Sequence, residues 1–199
     1  MSFESWLENN RLRPFVREQF EVKPLRGATD VGVIHHALHF PCGNGSSTAL
    51  LRRYFSLEKV SAIDRDGELV SAARANRDLT DIDFSVADLR SLAFEAGTFD
   101  AVFDLAELHN YAEWERGLLE TRRVLKPGGL LLLEELSLDT FTHASGRLFR
   151  LLAEHPYEAM FTTERFHNSV LSNGFVIEHF EERNQFGLLK YFIIVARKI

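Results

Sequence analysis

The chain has 199 residues, of which 45% are hydrophobic and 26% charged. That is the balance of a soluble globular chain, about one domain in size and long enough to bury its own core. With 23 Lys and Arg against 29 Asp and Glu the net charge is −6. This argues against nucleic acid as the main partner, and the single cysteine, Cys42, argues against disulfides or a cysteine-based zinc site.

The opening MSFESWLENN has neither a basic head nor an apolar run, so no signal peptide is expected. The longest apolar stretches, Leu130–Leu133 and Tyr191–Ala196, are far short of the roughly 20 residues that span a bilayer. The expected location is cytoplasmic, without membrane association. Phenylalanine is abundant, 17 residues against 2 Trp and 4 Tyr, which fits a Phe-rich core or a Phe-lined pocket.

The first segment reads as helical. Phe3, Trp6 and Leu7 share a face, then Phe15, Val16 and Phe20 do, with Pro14 starting a second helix. VGVIHHALHF is a β-rich run ending at Pro41-Cys42-Gly43-Asn44-Gly45. Ser46 and Ser47 can cap the helix that follows, whose apolar face holds Ala49, Leu50, Tyr54 and Phe55. Lys59–Asp64 reads as a buried strand, Asp66–Asn76 as a helix, and Ile82, Phe84 and Val86 alternate as a third strand. Phe99–Leu105 is a fourth strand, Trp114–Val124 an amphipathic helix, Lys126-Pro127-Gly128-Gly129 a sharp turn, and Leu130–Glu134 a fifth strand. Such alternation predicts parallel βαβ units in a doubly wound α/β sheet. The end departs from it: a helix over Thr163–Ser172, capped by Thr162 or Thr163 and ended by Asn173-Gly174, precedes two strands. These strands, Phe175–Phe180 and Leu188–Arg197, have no helix between them and must pair antiparallel.

Open α/β sheets bind ligands at the carboxyl ends of their strands. After the first strand, Gly43 and Gly45 let the backbone come close to a ligand. After the second comes Asp64, 19 residues past Gly45, near the spacing of an acid that accepts hydrogen bonds from ribose hydroxyls. Alone, Asp64 could equally cap the helix that begins near Asp66. Asp88 follows the third strand as a candidate for an exocyclic amine, or as a turn residue. Asp104, Glu107 and His109 follow the fourth.

These residues together resemble the class I S-adenosylmethionine-dependent methyltransferases, with a methyltransferase type 11-like domain. The resemblance covers roughly Leu38 to Glu134. It is carried by LHFPCGNG, VSAIDRD, VADLRSLAF, GTFDAVFDLAELHNY and, most specifically, RVLKPGGLLLLEE. It implies a Rossmann-like, seven-stranded, mostly parallel sheet of order 3-2-1-4-5-7-6 whose last strand is antiparallel. It divides the chain into an N-terminal helical lid segment over 1–25 and the methyltransferase domain over 26–199. It implies an enzyme that uses S-adenosyl-L-methionine to methylate a small-molecule acceptor.

By that resemblance the cofactor-binding residues are Pro41, Gly43, Gly45, Asp64, Arg65, Asp88, Leu89 and Asp104. The two glycines meet the methionine part, Asp64 holds the ribose, Arg65 lies beside the adenine, Asp88 takes its amino group and Leu89 gives a backbone contact. Asp104 to His109 border the acceptor, and His109 is the candidate catalytic residue, a base or positioning group; otherwise it is a surface-loop histidine. The first loop departs from the family pattern: His39 stands where an acid is usual and Pro41 where the first glycine is. A catalytically silent relative that binds the cofactor or a partner is therefore the alternative. A nicotinamide-binding protein fits less well, because a G-x-G-x-x-G pattern would need glycine at position 48, which is Thr48. Adjacent His35 and His36 point to opposite faces of a strand and cannot chelate together, and no metal is expected. No sequence feature sets an oligomeric state.

Overall fold

The structure is a computed structural model, and it describes residues 13–142, 157, 160–185 and 189–199. The expected helix face of Phe3, Trp6 and Leu7 lies outside these residues.

Seven strands form one sheet: β1 (Ile34–Phe40), β2 (Leu57–Asp64), β3 (Asp83–Val86), β4 (Phe99–Leu105), β5 (Leu125–Leu136), β6 (Phe175–Gln185) and β7 (Leu189–Lys198). Their order is β3-β2-β1-β4-β5-β7-β6. The first five are parallel, and β7 runs antiparallel to both β5 and β6. This is the Rossmann-like order expected from the sequence. The helices are α1 (Arg13–Arg17), α2 (Lys23–Gly27), α3 (Ser46–Tyr54), α4 (Gly67–Ala75), α5 (Trp114–Val124) and α6 (Thr163–Ser172).

The central strands are apolar on both faces, as parallel strands covered by helices on each side must be. On one face Ala37, Phe103, Leu105, Leu132 and Val195 pack with Val22, Leu25, Leu51 and Phe55 from the N-terminal helices and α3. On the other, Leu38, Phe40, Val102, Leu131, Leu133, Phe192 and Ile194 pack with Trp114, Leu118, Phe161 and Phe166. Eight of the 17 phenylalanines are buried in these two clusters; Phe161, Phe166 and Trp114 pack with ring centroids 4.5–5.3 Å apart.

Four local readings change. The first concerns the N-terminal helix face. Phe15 is 59% exposed, whereas Val22 and Leu25 are fully buried. A π-helical turn, Glu18–Val22, joins α1 to α2, and its wider winding rotates the inward face away from the α-helical spacing of Phe15, Val16 and Phe20. Second, Gly45, not Ser46 or Ser47, is the N-cap of α3, and no side chain caps it; Ser47 instead donates back to the Cys42 carbonyl at 3.4 Å. Third, Lys126–Gly129 does not separate helix from strand. β5 already starts at Leu125, and the pairing jumps from Phe99↔Leu125 to Ala101↔Leu130, so the tetrapeptide bulges out of the ladder. Fourth, the strand expected over Phe175–Phe180 runs on to Gln185, with Asn184 paired with Lys190.

Candidate active site

The site is built where β1, β2 and β4 end. The Phe40–Pro41 peptide is cis, and the next residues reverse the chain with Gly43 at φ 52° and Gly45 at φ 88°. Both angles lie in the left-handed region that favours glycine. The two glycines do different work. A Cβ on Gly45 would stand 2.8 Å from Leu79 Cδ1 and 3.4 Å from Phe84, inside the core beneath α4. A Cβ on Gly43 would meet nothing within 4 Å. Of the two, a side chain at Gly43 would enter open space and a side chain at Gly45 would enter the core.

Asp64 ends β2. Its Oδ2 accepts the Gly43 N–H at 2.8 Å and its Oδ1 the Asp66 N–H at 3.0 Å. It is not the helix cap; Asp66 is, accepting from Glu68 and Leu69 N–H. A carboxylate oxygen has two lone pairs, so each oxygen of Asp64 keeps one for a further donor. Beside it runs a shallow, half-open cleft walled by Phe40, Ile63, Ala87 and Leu89 and edged by Pro41, Asp64, Arg65, Glu107 and Tyr111. Apolar walls with a carboxylate at the rim suit a flat ring attached to a hydroxylated sugar. The residues present therefore fit an adenosyl group, with Gly43 open for the part beyond it.

Several expected residues meet at this cleft and others do not. Pro41, Asp64, Arg65 and Leu89 line it. Asp88 does not. Its carboxylate is gripped by Arg90, Nη2 to Oδ2 at 2.6 Å and Nε to Oδ1 at 3.0 Å, and this pair holds the carboxyl below its usual range. Arg90 and Arg65 both lie over the Tyr111 ring, 5.2 and 5.3 Å from its centroid. Tyr111 and Glu107 meet at the edge of this cleft, and burial drives both pKa values up.

Asp104 also stays out of the cleft. It is fully enclosed on the Trp114 side of the sheet, where Oδ1 accepts the Glu107 N–H at 3.1 Å. Glu135, on β5, faces it. Glu135 Oε1 accepts the Leu108 N–H at 2.6 Å, and Oε2 lies 2.6 Å from His109 Nδ1. Burial raises the proton affinity of both acids; the charge of Glu135 raises that of Asp104 further, while the hydrogen bond from Asp104 works the other way on Glu135. Asp104 Oδ2 makes no other bond among the described residues; a proton there gives it a donor facing Glu135. Ala106, at φ 59°, turns the chain between β4 and this cluster. His109 is thus no surface-loop residue: it is 6% exposed and anchored from below.

On the opposite face lies a second enclosed polar group. His39 is fully buried, its Nδ1 2.9 Å from Thr48 Oγ1, and burial pushes its pKa down to about 3. Glu134 is also buried and its pKa raised, first by burial and then by Glu21. Cys42 is buried, its thiol pushed up to about 12, which excludes it as a nucleophile at neutral pH. Among the described residues no three His, Cys, Asp or Glu side chains form a group that could hold a metal.

Glu135 escaped the sequence reading. The one available signal was two adjacent acids closing an apolar strand: alternation sends Glu134 and Glu135 to opposite faces, so both are buried and each needs a partner.

A family model described as a methyltransferase domain matches residues 38–133. Residues 38–133 are a methyltransferase domain of the class I S-adenosylmethionine-dependent family. That span runs from β1 through the bulged Lys-Pro-Gly-Gly segment into β5. Over 99 residues the chain is 31% identical to a phthiotriol/phenolphthiotriol dimycocerosates methyltransferase of Mycobacterium ulcerans, covering 50% of this chain and 36% of that one. It is 30% identical over 95 residues to a fatty-acid O-methyltransferase of Mycolicibacterium smegmatis, covering 48% and 35%. The chain thus spans about a third of the length of these curated relatives. Among solved structures, a Haloferax volcanii methyltransferase in complex with the Trm112 activator superimposes with a TM-score of 0.77 at 16% identity, covering 98% of this chain and 95% of that one. The [4+2]-cyclase SpnF gives 0.70 at 21% identity, covering 89% and 80%. These two likenesses show the fold.

Proposed function

We propose that this methyltransferase-family chain transfers a methyl group from S-adenosylmethionine to a small, partly apolar acceptor. The observation that carries the reading is Asp64. It ends β2, is fixed by two backbone N–H donors, keeps a lone pair on each oxygen, and stands beside an apolar cleft.

When bound, the cofactor supplies a methyl group activated on a sulfonium. The residues supply binding and alignment, the main need of an in-line displacement. Asp64 accepts from the two ribose hydroxyls, Ile63 and Leu89 enclose the base, and Arg65 lies at its edge. Asp88 reaches the amino group only by sharing its carboxylate with Arg90. Gly43 lets the backbone come near, and Gly45 supports it from the core. His109 serves as the base when the acceptor's nucleophile carries a proton.

An acceptor with apolar surface is supported by the relatives, one named for phthiotriol lipids and one for fatty acids. It is supported too by the aromatics of 1–25 and 137–157, which we propose as the cover over the acceptor; Phe3, Trp6 and Phe149 among them lie outside the described residues. The location we propose is cytoplasmic; no helix among the described residues is long and apolar enough to cross a membrane.

A second reading is a catalytically silent member that binds the cofactor in another role. It is favoured by neutral, buried His39 in place of an acid, and the cyclase likeness shows the same fold under another activity's name. Methyl-tritiated S-adenosylmethionine with a panel of fatty acids and phenols separates the two. Labelled product supports transfer; cofactor binding without product across the panel supports the silent reading.

A further inference from the structure

We propose that Glu135 is a positioning residue for His109: its buried carboxylate fixes the imidazole in the Nδ1–H tautomer and so makes Nε2 the atom that takes the acceptor's proton. This rests on the reading of His109 as the base.

The geometry leaves the ring little choice at Nδ1. Oε2 of Glu135 lies 2.6 Å away, and the other oxygen is fixed by the Leu108 N–H at the same distance. An ionised carboxylate only accepts, so Nδ1 must donate. A neutral imidazole that donates from Nδ1 has its lone pair on Nε2. The loop between Ala106 and Tyr111 wraps Glu135 with its own backbone, so tautomer and ring orientation are set together. When the acceptor's X–H bond breaks, its electron pair stays on the acceptor atom as the nucleophile. The proton ends on Nε2, and the imidazolium that forms keeps its Nδ1–H on Glu135.

Asp104 completes the arrangement from β4. Two carboxyls enclosed together hold one proton between them. With the proton on Asp104, Glu135 keeps its charge toward His109. Among the described residues the other ionisable groups around the pair are Glu107 on the same loop and Glu134 on β5, with Arg17 and Glu21 of the N-terminal helical segment behind Glu134.

The test is ¹⁵N NMR of the histidines in the full chain, with His109 assigned by the signal missing from His109→Gln. The expected result is a protonated Nδ1 and an unprotonated Nε2 at neutral pH, reversed or mixed in Glu135→Gln, whose amide can turn a donor toward Nδ1. An Nε2–H tautomer in the wild type would overturn the proposal. Where a fatty acid or phenol probe is methylated, Glu135→Gln should lower kcat about 100-fold with KM for the cofactor unchanged, move the acid limb of the pH profile downward, and be partly rescued by Glu135→Asp. If His109→Gln lowers kcat but Glu135→Gln moves neither kcat nor the limb, the positioning role is wrong. If His109→Gln itself leaves kcat unchanged, the base assignment has failed instead.

Discussion

Asp64 Oδ2 accepts the Gly43 amide at 2.8 Å, and this bond ties the end of β2 to the loop that leaves β1. Twenty-one residues separate the two in sequence. The carboxylate therefore has two tasks, shaping the glycine loop and presenting its remaining lone pairs to the cleft, and a substitution at either end is felt at the other.

The two loop glycines should respond differently to substitution. Gly43→Ala places a Cβ in open space at φ 52°, so it should cost about 1–2 kcal/mol of backbone strain, leave a cooperative fold and weaken cofactor binding. Gly45→Val drives its side chain into Leu79 and Phe84, adding overpacking of about 1–3 kcal/mol to the strain. Urea unfolding should show Gly45→Val as the less stable protein. Equal stability would show that Gly45 is not closed off by the core.

Asp104 sets a pH dependence of stability. Its pKa is raised in the fold, chiefly by burial. The contribution of such a group is fully present below its unfolded pKa, near 4, and is lost as pH rises toward the folded value. Asp104→Asn keeps an oxygen for the Glu107 N–H and mimics the protonated acid. Relative to wild type it should gain stability from pH 5 to pH 8, by at most about 1.4 kcal/mol per pH unit. Urea unfolding across that range checks it; a constant difference would mean that Asp104 is ionised throughout.

His39 acts in the opposite sense. Burial, with Arg17 adding, depresses its pKa to about 3. The stability linked to neutral His39 is present above the unfolded value near 6.5 and is lost as pH falls toward 3. His39→Gln should lose less stability than wild type between pH 6.5 and pH 4.5, by up to about 1.4 kcal/mol per pH unit. Parallel unfolding curves would contradict the buried, neutral assignment.

Much of this was legible in the sequence because local pattern and tertiary role agreed. Alternating strands and helices gave the doubly wound α/β sheet, the family resemblance gave its strand order, and Thr162 caps α6 through the Arg165 N–H as its position suggested. Asp64 stood out because an acid at a buried strand's end must have a purpose. Elsewhere distant partners decided the outcome. The π turn at Glu18–Val22 shifted the inward face to Val22 and Leu25, which no α-helical spacing anticipates. The lack of room for a side chain at Gly45 comes from Leu79, 34 residues away. Arg90 took Asp88, and Glu135 had no visible role until His109 was brought to it across 26 residues.

Calorimetric titration of S-adenosylmethionine into the wild type and Asp64→Ala tests the central claim most directly. The account predicts one-to-one binding to the wild type. Asp64→Ala should bind about ten- to a hundred-fold more weakly, the roughly 1.5–3 kcal/mol of a charge-assisted hydrogen-bonded pair. No binding by the folded wild type, or unchanged affinity in Asp64→Ala, would contradict it.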